Sequence, residues 1–257
     1  MTVLKKRRQI IRPEWVIVAV FLAIVSAVTV VSAIPVYYEF EAPGETVPVS
    51  EIGVKGSVRY TYVYGGVTAN LLEKWVQPLI YGPETEFYSI PKEYYDTYEE
   101  TYIETETKEA TISNALEAVE EVAEAERGTV ETGGRLEKLL AQTQNLYGDS
   151  IGLMVAVGLY EEATGQDFSR GGRYKIAGTG TLEADETVGS VGSIKHKLIT
   201  AGKEGIDLFF IPADKDEWGE WSNETEAETA AKQLNLDVKI VSVDTFDEAI
   251  DYLKSLP

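Results

Sequence analysis

Gly148-Asp149-Ser150-Ile151-Gly152 leads into Leu153-Met-Val-Ala-Val-Gly-Leu-Tyr160, and the reading of this stretch decides how the chain folds. The run from Ile151 to Tyr160 is apolar on nearly every face, as a buried helix would be. A glycine two residues to either side of Ser150 permits a sharp turn and the close approach of another main chain. The pattern predicts that Ser150 stands at a helix N-terminus, where free N–H groups and the positive end of the helix dipole favour an oxyanion on an attacked carbonyl. A lysine follows in Ser193-Ile-Lys195-His-Lys197-Leu-Ile-Thr-Ala201. Together Ser150 and Lys197 suggest a serine nucleophile with a lysine base. Such a base works only as the neutral amine, and desolvation, which can lower a lysine pKa by up to ~3–5 units, is the usual way to obtain it.

Four ordered blocks carry a family resemblance: Gly148 to Gly152 opening a helix that runs from Ser150 to Thr164-Gly165; Ile176-Ala-Gly-Thr179-Gly180-Thr-Leu182; Val188-Gly-Ser-Val-Gly192-Ser-Ile-Lys195-His-Lys197-Leu; and Gly205-Ile-Asp-Leu-Phe-Phe-Ile-Pro212. In this order they resemble the proteolytic domain of Lon, the serine-lysine peptidases, whose motif is Gly-Pro-Ser-Ala-Gly. Asp149 stands where the family has proline, and Ile151 where it has alanine. An aspartate at that position can cap the helix through its side chain. The resemblance implies Ser150 as nucleophile and Lys197 as base, with Lys195 and His196 pointing elsewhere. It makes Thr179 a supporting residue that orients the lysine, and places the oxyanion donors on backbone N–H groups near Asp149 and Ser150, with Gly148 shaping the turn. The order of membrane segment, short strands, acidic helix and Lon-type domain looks most like the membrane-anchored Lon-like proteases, here without their usual PDZ domain.

Gly-x-Ser-x-Gly is also the nucleophile elbow of α/β-hydrolases, and the one histidine, His196, follows the serine as that fold requires. The elbow needs a strand directly before it, whereas residues 136–147 read as helix or loop. His196 is therefore expected to be an exposed neighbour of the base.

The chain holds 23 basic and 43 acidic residues, a net charge of −20. Such a surface repels nucleic acid and anionic lipid, so neither is an expected partner. With no cysteine, a thiol nucleophile and a disulfide framework are excluded, and with one histidine a zinc site nearly so. Asp214 to Gly219 has the look of a calcium loop, but Trp218 falls where an oxygen ligand is needed, and the segment reads as an acidic turn. No Gly-x-x-x-x-Gly-Lys-[Ser/Thr] phosphate loop occurs, so activity without ATP and without a cofactor is expected.

Residues 15–38 carry no charge, long enough to cross a hydrocarbon core, which takes about 20 apolar residues. Lys5, Lys6, Arg7 and Arg8 before them predict a cytoplasmic N-terminus, with everything after Glu39 outside. Val31-Ser-Ala33 offers a signal-peptidase site as the alternative, but the apolar stretch exceeds the ~7–15 residues of a secretory signal. Tyrosine-rich alternation over residues 35–65, interrupted at Pro43-Gly44 and Gly53, predicts short strands. Residues 99–126 predict one long helix with Ala115, Leu116, Val119, Val122 and Ala123 on its apolar face and a solvated glutamate face opposite. Tyr94, Tyr95, Tyr98 and Tyr102 read as packing. Beyond Pro212, a helix over 225–234, a strand over 238–243 and a helix over 246–256 would close the domain.

The expected organisation is thus a basic cytoplasmic segment (1–14), a transmembrane helix (15–38), strands and an acidic helix (39–135), and a Lon-type α/β domain of mixed α+β character (136–257). The expected function is a membrane-anchored, ATP-independent serine endopeptidase acting on exposed or unfolded polypeptide segments, with homo-oligomerisation left open. The alternative is a catalytically silent Lon-fold scaffold that binds membrane or extracytoplasmic proteins.

Overall fold

Pro13 at the first turn, Glu14 beside it and an unbroken apolar run make the helix α1, Pro13–Ser32, in the computed structural model, which describes residues 12–102, 105–125 and 133–257. The helix is long and apolar enough to cross a membrane, and none of it is buried within the protein. It ends short of the expected residue 38. Pro35 disfavours helical backbone at Ile34 and opens strand β1, Pro35–Pro48, which takes in Tyr37 and Tyr38.

Strand β1 runs through Pro43-Gly44 rather than breaking there, with a bulge between Pro43 and Thr46 in its antiparallel pairing to β2, Arg59–Asn70. A Cβ at Gly44 would lie 2.3 Å from the Tyr62 carbonyl oxygen, so only glycine lets the strands stay this close. Helix α2, Leu71–Tyr81, follows, capped by Asn70, whose side chain accepts from the Glu73 N–H. Strand β3, Glu86–Ser89, then pairs with the outer edge of β1.

Helix α3, Lys92–Tyr102, begins earlier than expected, and α4 covers Thr105–Ala125. Residues 103–104 and 126 of the expected single helix lie outside the described residues. On α4, Ile112, Ala115, Leu116 and Val119 are buried against α6, Gly152–Thr164, which α5, Arg135–Gln142, precedes. The short strands β4 (Ile176–Gly178), β5 (Thr181–Leu182) and β6 (Val188–Gly189) lead to α7, Ile194–Lys203. Then come β7 (Leu208–Pro212), α8 (Lys215–Trp218), α9 (Asn223–Leu234), β8 (Lys239–Val243) and α10 (Phe246–Lys254).

The main sheet has the order β3-β1-β2-β4-β7-β8, antiparallel in its first three strands and parallel from β2 onward. All five residues of β7 are buried. Leu208 and Phe210 face the core shared with α4, α6 and α10, while Phe209 and Ile211 face the one shared with α7 and α9. That alternation is the period-2 consequence of a parallel strand covered on both sides. The fold is mixed α/β, and strands from both sides of the expected boundary at 135/136 share this one sheet.

Candidate functional site

Ser150 lies in the turn between α5 and α6. Gly148, at φ 79°, adopts the left-handed conformation that bends the chain after α5. Gly152 is the first residue of α6, and a Cβ there would fall 2.1 Å from Thr111 Oγ1 and 2.7 Å from the Leu182 nitrogen. The second glycine of the motif thus allows α6 to start directly against α4 and β5. The helix begins two positions later than expected: Ile151 is its N-cap, and Ser150 precedes the cap. Asp149 does not cap the helix with its side chain. Its carbonyl accepts the Gly152 N–H at 3.1 Å, so the turn is closed by main chain. Ile151 is buried in the large core, which removes its bulk from the surface where Ser150 is half-buried.

The Ser150 carbonyl accepts from the Gly180 N–H at 3.0 Å and from Thr179 Oγ1 at 3.2 Å. Thr179-Gly180 therefore lies between β4 and β5 and separates them. Opposite stands α7, whose buried face at i, i+3, i+4 and i+7 carries Ile194, Lys197, Leu198 and Ala201. Lys197 thus occupies a core position and is only 3% exposed. Its Nζ donates to Thr179 Oγ1 at 2.9 Å. One threonine hydroxyl accepts from the lysine and donates to the serine carbonyl. Among the described residues the Ser150 hydroxyl itself has no hydrogen-bond partner, and the N–H groups of Asp149, Ser150 and Ile151 donate to no protein acceptor.

Burial pulls the Lys197 pKa down to about 8, against the opposing pull of the Glu226, Glu41 and Asp149 carboxylates. Roughly a tenth of the amine is therefore neutral at pH 7, against well under a thousandth for an exposed lysine.

His196 contradicts its expected exposure: it is 2% exposed, wedged between α7 and the β1–β3 edge. Its Nε2 lies 3.2 Å from the Glu84 carbonyl and 3.9 Å from the Glu86 carboxylate, and its Nδ1 lies 3.6 Å from the Glu41 carboxylate. Burial pushes the Glu41 carboxyl up, but hydrogen bonds from His196 and Ser193 and the nearby charges hold it below the usual carboxylate range. Lys195 pairs with Glu86, and its N–H donates to Glu226 at 2.8 Å. The three residues Lys195, His196 and Lys197 therefore have different partners.

Sequence reasoning missed two contributors. Lys108, on the helix read for its glutamates, is buried, and its Nζ donates to the carbonyls of Thr143 at 2.9 Å and Leu146 at 2.7 Å. It holds the segment that leads into Gly148, and burial lowers its pKa. A lysine three residues before Thr111 on an otherwise acidic helix was its only signal. Asp214, in the segment expected as an acidic turn, instead precedes α8 and is buried, accepting from Ser190 Oγ at 2.7 Å and from the Asn223 N–H at 3.0 Å. It ties the loop before α7 to α9.

A scan against models of known families gives no match, and a search of curated proteins finds no similar sequence.

Proposed function

We propose that the chain is a membrane-anchored serine endopeptidase that works without ATP or a cofactor, with Ser150 as nucleophile and Lys197 as general base. The observation that carries this reading is a desolvated lysine joined through a single threonine hydroxyl to the turn that presents the serine. In the reaction, neutral Lys197 removes the Ser150 proton as Oγ attacks a peptide carbonyl. The N–H groups at 149–151, which donate to no acceptor among the described residues, would receive the oxyanion. The lysine ammonium then protonates the departing amine, and water, deprotonated by the same lysine, hydrolyses the acyl-enzyme. The resemblance of the four motif blocks to Lon-type peptidases supports the same assignment. By the positive charge at Lys5 to Arg8, the N-terminus is cytoplasmic and the domain beyond Glu39 extracytoplasmic. The substrates are then exposed or unfolded polypeptide segments on that side.

One observation favours the scaffold reading: the Ser150 hydroxyl makes no bond to Lys197. Treating the full chain in detergent micelles with a serine-directed fluorophosphonate and mapping the adduct separates the two. Labelling at Ser150 that is lost in Lys197→Met supports the peptidase. Absence of any adduct on folded wild-type protein supports the scaffold.

A further inference from the structure

The exposed apolar face of α2 has a specific geometry. Leu72, Trp75, Val76, Leu79 and Ile80 fall on one side of the helix by 3.6-residue spacing. Trp75 is 58%, Leu79 85% and Ile80 63% exposed. The opposite side is already engaged. Lys74 Nζ sits 3.3 Å over the Tyr38 ring, and Tyr81 packs on Phe40 and Tyr64 with ring centroids 5.5 and 4.8 Å apart. The helix is thus fixed to the sheet by one face, while on the other Leu72 and Val76 are half-buried and Trp75, Leu79 and Ile80 stand uncovered among the described residues.

The position of α2 identifies the occupant. The Leu71 N–H donates to the Ile34 carbonyl at 3.1 Å, two residues beyond the end of α1, and α1 and α2 touch. The start of α2 is therefore held at the point where the apolar helix emerges. An amphipathic helix at that level lies at the boundary between headgroups and acyl chains, where tryptophan is favoured.

We infer that α2 is an interfacial helix whose Trp75–Leu79–Ile80 face inserts into the outer leaflet beside α1 and fixes the height and tilt of the catalytic domain over the membrane. The inference rests on the reading of α1 as a membrane anchor. The ligand is the apolar zone of a bilayer, reached through hydrophobic burial, consistent with the acidic surface elsewhere.

The chain has no cysteine, so one introduced cysteine carries a unique nitroxide label. Full-length Leu79→Cys, Leu22→Cys (on α1) and Lys232→Cys (exposed on α9) are reconstituted separately into phosphatidylcholine vesicles. Collision of each label with oxygen and with a water-soluble nickel chelate is then measured by electron paramagnetic resonance. The expected result is a several-fold higher oxygen-to-nickel ratio at positions 79 and 22 than at 232. A lipid-like ratio at 22 with a water-like ratio at 79 overturns the inference and leaves the anchor standing. Water-like ratios at both overturn both. Spin–spin broadening at 79 that grows with protein-to-lipid ratio, with exclusion of both reagents, assigns the face to a second copy and overturns the lipid assignment.

Discussion

The Thr179 hydroxyl accepts from Lys197 Nζ and donates to the Ser150 carbonyl, so one side chain sets the relative position of the proposed base and the turn that carries the proposed nucleophile. Thr179→Val removes a charge-assisted bond of about 1.5–3 kcal/mol, and kcat for a peptide substrate is expected to fall roughly ten- to a hundredfold with KM little changed. That bond favours the ammonium form, so in the variant the acid limb of the rate profile moves to lower pH. A purely structural threonine would leave that limb where it was. In the wild type, Lys197 must be neutral to accept the Ser150 proton, and its pKa is about 8. Activity should therefore rise with pH through about 8 and then level, and a profile flat from pH 6 to 10 argues against a lysine base. The same shift predicts a stability effect. Between about pH 8 and the ordinary lysine value of 10.5 the unfolded chain binds a proton that the folded chain does not. Folding stability therefore gains from this residue as pH rises through that window, and the penalty is fully present below it. Lys197→Met, expected to lose activity, should be more stable than wild type by on the order of 1–3 kcal/mol at pH 7, with the difference shrinking toward pH 10 in denaturant melts.

At the scale of elements, α6 starts where it does because Gly152 has no side chain. Its missing Cβ admits Thr111 of α4, whose hydroxyl accepts the Leu182 N–H at 2.7 Å. Gly152→Ala forces α4, α6 and β5 apart at one point. A loss of roughly 1–3 kcal/mol in urea unfolding is expected, as for other overpacked cores, together with reduced fluorophosphonate labelling of Ser150. An unchanged melt would show that α4 and β5 yield freely at this contact. Lys108 links the same helix to the loop before Gly148. These contacts make α4 the backing for the serine turn, a role its acidic composition hides.

At the scale of the molecule, the placement of α1 before a sheet whose remaining elements surround the candidate dyad predicts a single-pass arrangement. Protease added outside intact cells should digest the chain beyond Glu39 and spare the first residues, while protection of the domain until lysis would reverse the orientation. What the sequence determined by itself is what local chemistry fixes. The apolar helix α1 follows from hydropathy, the buried α6 from an unbroken run of nonpolar residues, and α9, β8 and α10 from periodicity. Ser150 and Lys197 stood out as a serine-lysine pair in their glycine-flanked segments, whereas Thr179 was implied only by the resemblance to Lon-type peptidases. Only tertiary structure decided the rest. Pro43-Gly44 became a bulge because a partner strand lay alongside to hold the register, and β3 formed because β1 offered a free edge. His196 was buried because β1 and residues 84–86 close over α7, a long-range contact that a single polar residue in sequence does not encode. Glu41 and Glu226 approach Lys197 from elements far apart in the chain. The electrostatics of a buried amine depend on what folds around it, and that is set by packing between distant segments.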